Sequence, residues 1–271
     1  MVRPNRLSFR VFAFSWSILT LVCAATAAAA DDPVARARLL YNERQFEAAV
    51  NAAEEARLVP ARADAADLVA ARAYLERFRD SAASDDLTNA RERLRRIVPT
   101  RFDARERVEY IVGLGEALFF DGVYGAAATV FDSVLKSGAS ITAEARERVL
   151  DWWATSVDRE VKPRREQERQ APYQRIRARM EEELATHPGS GPAAYWLAAA
   201  ARAQGDSQGA WDAAQAAWVR APLAPDGGDT LRSDLDLLVV RGIVPDRAKA
   251  SAQPADTLRL QWEQFKERWK R

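Results

Sequence analysis

The stretch from Ile111 to Leu135 constrains this chain more than any other. Ile111, Leu114 and Leu118 recur at intervals of three and four, and Ala127, Phe131 and Leu135 at intervals of four. That is the spacing of helices with one buried face, not of strands. Gly122 breaks the chain between the two runs. Gly115 and Ala127 are small where two antiparallel helices must approach closely, and Tyr124 and Phe131 are large enough to fill the seam between them.

The rest of the chain repeats this arrangement. Apolar residues recur at three and four, β-branched runs are rare, and glycine and proline gather at break points, so an all-α fold is expected. A first helix pair is predicted over about Pro33 to Arg57, with Asp32 as N-cap and Pro33 in the first turn. Phe46-x2-Ala49 matches Tyr124-x2-Ala127. A second pair spans Ala61 to Val98, turning at Ser81 to Asp86, where Asp85-Asp86 offers an N-cap. The third pair is entered from Asp103 and left at Ser137-Gly138. The fourth begins near Ile141, and its second helix is predicted from about Pro172 to Ala185. The mixed charges of Asp158 to Gln170 read as a solvated helix face connecting the two. A fifth pair covers Pro192 to Arg220. A helix over Thr230 to Val240, a break at Gly242 to Pro245 and a last helix over Ala255 to Trp269 follow.

Ile111-x2-Leu114-Gly115-x2-Leu118, followed by Gly122-x-Tyr124-x2-Ala127-x3-Phe131, resembles the tetratricopeptide (TPR) repeat, whose pattern is W-x2-L-G-x2-Y…A-x3-F…P. Ile111 stands for the Trp and Leu118 for the Tyr. Between the fourth and fifth pairs the register holds at the repeat period of about 34 residues: Ile176 pairs with Ala210, Met180 with Ala214 and Pro188 with Pro222. Earlier units deviate, so the array is irregular. The resemblance implies a TPR-like solenoid of about five antiparallel helix pairs over residues 31–225, with residues 226–271 as a C-terminal helical cap. It also implies a concave groove lined by the first helix of each pair. The residues between seam positions there are Arg38, Tyr41, Arg72, Glu116, Phe119, Phe120, Tyr195 and Arg202.

Residues 1–30 read as a secretory signal peptide. Arg3, Arg6 and Arg10 make a positive start, Val11 to Val22 an uncharged and mostly apolar run, and Ala24 to Ala30 small-residue cleavage sites. Cys23 is the only cysteine. Val22 before it departs from the Leu-x-[Gly/Ala/Ser]-Cys pattern of acylated lipoproteins, so outer-membrane lipidation at Cys23 is not expected. Cleavage would lower the 40 basic residues by three, to 37 against 39 acids. A chain so balanced has no bulk attraction for nucleic acid or anionic membrane.

Catalytic, cofactor and metal signatures are weak. His187 is the only histidine and follows a predicted helix, where partial positive charge is favoured. Metal and triad chemistry need several convergent groups. Val112 to Ala117 superficially opens like a dinucleotide loop, but its glycines fall inside a helical pattern. Glu181-Glu182-Glu183 points in different directions around a helix. Trp152-Trp153 cannot both enter one seam, since neighbouring helical positions lie about 100° apart. Trp262, Phe265 and Trp269 share one face of the last helix; they suit docking on the last repeat or peripheral contact with a membrane interface beside Lys266 and Arg268.

The expectation is therefore an exported, non-enzymatic scaffold, periplasmic or extracellular, that binds a protein or peptide partner in its groove. It would need no cofactor and would carry no transmembrane helix after cleavage. The alternative is a structural subunit of a cell-envelope assembly or secretion complex. An enzyme acting on cell-wall glycan is the least favoured reading.

Overall fold

The computed structural model describes residues 32–137 and 141–270. The expected signal peptide and Cys23 lie outside the described residues. Among the described residues the regular elements are all helical, with no strand. None of these helices is long and apolar enough to cross a membrane.

The chain divides into two compact units, the first ending at Gly113 and the second beginning at Leu114. The first contains α1 (Pro33–Asn42), α2 (Phe46–Arg57), α3 (Ala63–Ser81), α4 (Ser84–Arg96) and the start of α5 (Ala104–Phe120). The second contains the end of α5, then α6 (Tyr124–Lys136), α7 (Ala143–Val161), α8 (Glu166–Thr186), α9 (Gly191–Ala203) and α10 (Ser207–Arg220). It closes with α11 (Asp229–Leu238), α12 (Val244–Ser251) and α13 (Ala255–Arg268). Consecutive helices pack as neighbours, and alternate helices also touch: α1 with α3 in the first unit, α7 with α9 and α9 with α11 in the second.

The first unit is built on small residues. Ala37, Ala49, Ala56, Ala71, Ala73 and Ala90 are each fully buried, and Leu68, Leu75 and Leu94 fill the space they leave. Asp32 caps α1 as expected, its Oδ1 accepting from Val34 N at 3.0 Å. The cap expected of Asp85-Asp86 is not made. Both residues lie in the first turn of α4, after Ala83 at the N-cap. Asp86 is buried and pairs with Arg77 at 3.2 Å. The turn is shorter than expected because Ala82 takes a left-handed conformation (φ 56°) and closes α3 immediately.

The second unit departs from the expected boundaries in two places. α8 starts at Glu166, so Pro172 lies inside it and the connector shrinks to Lys162–Arg165. A proline there leaves the carbonyl of Glu168 without its helical partner. Glu168 is exposed, where water can satisfy that oxygen. Reciprocal bonds hold the early turns: Gln170 Nε2 donates to Gln204 O at 3.3 Å, and Gln204 Nε2 to Gln170 O at 3.2 Å. The break expected at Gly242 to Pro245 is instead a π turn, Val239–Ile243, leading directly into α12. Pro245 falls in the first turn of α12, where a missing N–H is tolerated.

Large side chains mark the core of this unit. Trp153, Tyr173, Ile176, Met180 and Leu235 are buried. Of the tryptophan pair, Trp153 is fully buried, with the Arg179 guanidinium 4.6 Å above its ring. Trp152 is half-buried, 4.5 Å from Phe119 edge to face. On α13, Trp262 is fully buried, 5.4 Å from Trp218 and 5.9 Å from Trp211 of α10. Both aromatics of α13, Trp262 and Phe265, are thus buried, and Trp269, which follows the helix, is exposed.

The approach of α5 to α6 supplies a sharp test. A Cβ on Gly115 would stand 2.6 Å from the Phe131 ring, whereas one on Gly113 would meet Leu94 at 3.4 Å. Gly115→Ala is expected to destabilise the chain by about 1–3 kcal/mol through overpacking. Gly113→Ala should be neutral or stabilise it by up to about 1 kcal/mol from helix propensity. Chemical denaturation of the two variants side by side checks both signs.

Candidate functional site

The eight residues expected to line a groove divide between the two units. In the first unit, Arg38, Tyr41 and Arg72 are already engaged. Arg38 Nη2 donates to Glu106 Oε1 at 2.5 Å, and Arg72 Nη1 to Glu109 Oε2 at 2.9 Å. The Arg72 guanidinium lies 4.4 Å above the Tyr41 ring, and the Tyr41 hydroxyl donates to Glu76 at 3.4 Å. These bonds join α1, α3 and α5 side by side. A face whose charges are consumed in pairs has little attraction left for a charged partner, and its side chains serve to tie the helices together.

In the second unit, Phe119 is buried at 8% exposure, packed against Phe120, Tyr124 and Trp152 under the Arg159 guanidinium. Glu116 and Phe120 are half-buried on the same helix. Phe119 therefore belongs to the packing of α5, α6 and α7 and presents no ring to a groove. Tyr195 and Arg202 are half-buried on α9. Arg202 Nε donates to Asp246 Oδ2 at 2.8 Å and runs past Gly242, where any Cβ would stand 2.7 Å from it. The π turn and its glycine thus make the space in which Arg202 lies.

Around Tyr195 stands a group of carboxylates. Asp151 of α7 accepts from Trp196 Nε1 at 2.8 Å. Asp158 of α7 accepts from the Tyr173 hydroxyl at 2.8 Å. Glu147 lies on α7 four residues before Asp151, and Asp234 lies on α11. Burial pushes the Tyr195 phenol up, and the negative charges of Asp234, Asp151 and Asp158 push it further, against the opposing pull of Arg202. Burial likewise raises Asp151, with Asp234 adding to the rise against the Trp196 bond. Glu147 and Asp234 are also raised, chiefly by desolvation. Asp151 and Asp234 are nonetheless exposed to solvent. A carboxylate that touches water yet is desolvated stands open on one side and walled by protein on the others.

The treatment of acids elsewhere sets this group apart. Asp67 pairs with Arg93 at 2.9 Å, Glu76 with Arg79 at 2.5 Å, Asp86 with Arg77, and Glu183 with Arg146 through two bonds of 2.8 and 2.6 Å. Burial alone would raise Glu183, and the Arg146 fork outweighs it, so its pKa is lowered. His187, which ends α8, adds a contact of 2.9 Å to the same carboxylate. Every buried carboxylate of the described residues has an arginine. Glu147, Asp151, Asp158 and Asp234 form no ion pair among the described residues. Nor does any set of three or more His, Cys, Asp or Glu side chains there take an arrangement suited to a metal ion.

Sequence reasoning singled out Tyr195 and Arg202 and missed the acids around them. Glu147, Asp151 and Asp158 sit four and seven apart, on one helical face. The spacing was visible, but Asp158 was assigned to a connector, which cut the face in two. Asp234 carries no signal of its own, since only the stacking of α11 on α9 brings it to Tyr195.

The raised carboxyl of Asp151 has a signed consequence. A folded pKa above the unfolded value means a contribution to stability that is complete below the unfolded pKa and is lost as pH rises through the folded one. Asp151→Asn keeps the acceptor for Trp196 and removes the charge. It should raise Tm at pH 7, and the gain should vanish below about pH 4, where aspartate is itself protonated. Thermal melts of both proteins between these pH values check the crossing. Compared with known proteins, the chain matches no family model, no curated protein and no solved structure.

Proposed function

We propose that this chain is an exported TPR-like scaffold that binds a segment of a partner protein along the first helices of its second unit. The observation that carries this reading is the row of ion-pair-free carboxylates and half-buried Tyr195 on α7, α9 and α11, which stack as alternate neighbours. Such stacking is how a helical-repeat array builds an extended binding surface. The 34-residue register between the fourth and fifth pairs supports the repeat reading. So do the reciprocal Gln170–Gln204 bonds, which join residues separated by one such period. The arginines and alanines of residues 1–30 support export.

Two measurements test the proposal. Expressed in full in a Gram-negative host, the chain should be recovered outside the cytoplasm with a mass corresponding to removal of residues 1–30. In that setting a photo-crosslinking amino acid at Tyr195 should yield a discrete adduct, and the same residue at Asp212, on α10, should not. Adducts at both positions, or at neither, would remove the support for a binding face here. Stoichiometric recovery with a large membrane assembly would instead identify a fixed structural subunit.

A further inference from the structure

The turns that follow α2 and α4 in the first unit are copies of one another. Arg57-Leu58-Val59-Pro60-x-Arg62-x-Asp64 recurs as Arg96-Ile97-Val98-Pro99-x-Arg101-x-Asp103. Each proline opens a short 3₁₀ turn, Pro60–Arg62 and Pro99–Arg101. In each turn the second arginine reaches back to an acid at the start of an earlier helix: Arg62 to Asp32 at 3.0 Å and Arg101 to Asp64 at 3.1 Å. Val98 N also donates to Asp64 Oδ1 at 3.2 Å. These bonds hold the two turns side by side along one edge of the unit.

That edge leaves apolar side chains in water. Leu58 is 84% exposed, and Val59 and Val98 are exposed as well. Leu58 keeps helical backbone angles beyond α2, whereas its counterpart Ile97 is extended and buried. The same edge is basic. Residues 91–107 carry seven arginines against three acids, a local excess concealed by the overall balance of 40 to 39. Arg95 is exposed and forms no ion pair among the described residues. The paired arginines are turned outward: in Arg101–Asp64 the arginine is 66% exposed and the aspartate 15%, and Arg105–Glu109 shows the same order. Glu54 and Glu55, the acids that precede Leu58 on α2, are held by Arg93 and Arg36.

We propose that this edge docks on an anionic lipid bilayer, with Leu58, Val59 and Val98 entering the interface and Arg95, Arg101 and Arg105 meeting lipid phosphates. This contact is independent of the binding face of the second unit. A few apolar side chains alone partition weakly, and a few exposed cations alone are screened by salt, so peripheral attachment combines the two. Guanidinium binds phosphate through paired hydrogen bonds. Exposed apolar groups mark contacts with proteins as well as with membranes. Protein interfaces, however, seat their anchors in closely packed pockets, whereas these side chains stand on turns and repeat along an edge, each followed by an outward arginine.

Co-sedimentation at physiological ionic strength tests this with two vesicle preparations, one of phosphatidylcholine and one of equal parts phosphatidylcholine and phosphatidylglycerol. The full chain should sediment with the anionic vesicles and not with the neutral ones, and added salt should release it. Leu58→Ser/Val98→Ser should weaken binding by at least about tenfold, as should Arg95→Gln/Arg105→Gln. Leu39→Ser alters another exposed leucine of the same unit, about 10 Å along α1 from Asp32, and should leave binding unchanged. Circular dichroism melts confirm that each variant is folded. Equal binding to both preparations would overturn the charge recognition, and an equal loss in Leu39→Ser would overturn the assignment to this edge. Binding lost in Trp269→Ala and kept in the two double variants would move the contact to the C-terminal helix and overturn the proposal. Failure to sediment with either preparation would also overturn it. Arginine-dependent anisotropy with a labelled peptide of four Gly-Ser-Glu repeats would then make the edge a site for an acidic polypeptide. The Tyr195 adduct is expected whichever of these results is found.

Discussion

The structure depends on the close approach of helices over small side chains. Ala49, Ala56, Ala71, Ala73 and Ala90 in the first unit, and Ala194, Ala198, Ala201, Ala210 and Ala214 in the second, are almost completely buried. Alanine allows short interaxial distances and gives a helix its highest propensity. It also buries little apolar area per residue, so an alanine seam stabilises less than a leucine seam would. The large residues that remain are placed at joints: Phe131 under Gly115, Trp153 beneath Arg179, and Trp262 between Trp211 and Trp218.

Thin seams shift part of the cohesion to polar bridges between helix pairs. Arg38–Glu106 and Arg72–Glu109 each span helices that are not consecutive, and Arg146–Glu183 joins the consecutive α7 and α8. Arg146–Glu183 is forked, the geometry in which an arginine–carboxylate pair contributes most. Buried pairs of this kind are better attested as devices that specify one arrangement than as net sources of stability. Here they specify which helices stack, and they leave the inner residues of the first unit internally neutral. The second unit follows the same rule at Glu183 and departs from it around Tyr195. The departure is local: the chain pairs its buried acids with arginine and leaves Asp151, Asp158 and Asp234, which are partly or fully exposed, without an ion pair among the described residues.

Much of the fold was legible. The period of three and four gave helices, Asp32 and Pro33 marked the first of them, and glycine and proline marked most of the ends. The misplaced boundaries both involve proline: the sequence reads Pro172 as a helix start, because proline is favoured in first turns, and Gly242 to Pro245 as a break between helices. At Pro172 an exposed carbonyl and the Gln170–Gln204 bonds let the helix extend backwards. At Pro245 a π turn absorbed the missing hydrogen bond. Neither compensation can be seen without the neighbouring helix. The candidate site was legible only in part. Tyr195 and Arg202 were found because they lie off the seam, but Phe119 lies off the seam too and is buried, since Trp152 of the next pair covers it.

The amino-acid sequence alone determined the all-helical character, the pairing of neighbouring helices and the positions at which small residues bring them close, because these follow from local propensity and from a period read along a single segment. The tertiary structure decided the charge of each face. Whether an acid is neutralised depends on which arginine is folded against it, and partners such as Arg38 and Glu106, or Arg146 and Glu183, are brought together only by stacking. That stacking closes the face of the first unit with its own ion pairs and leaves Asp151, Asp158 and Asp234 open around Tyr195.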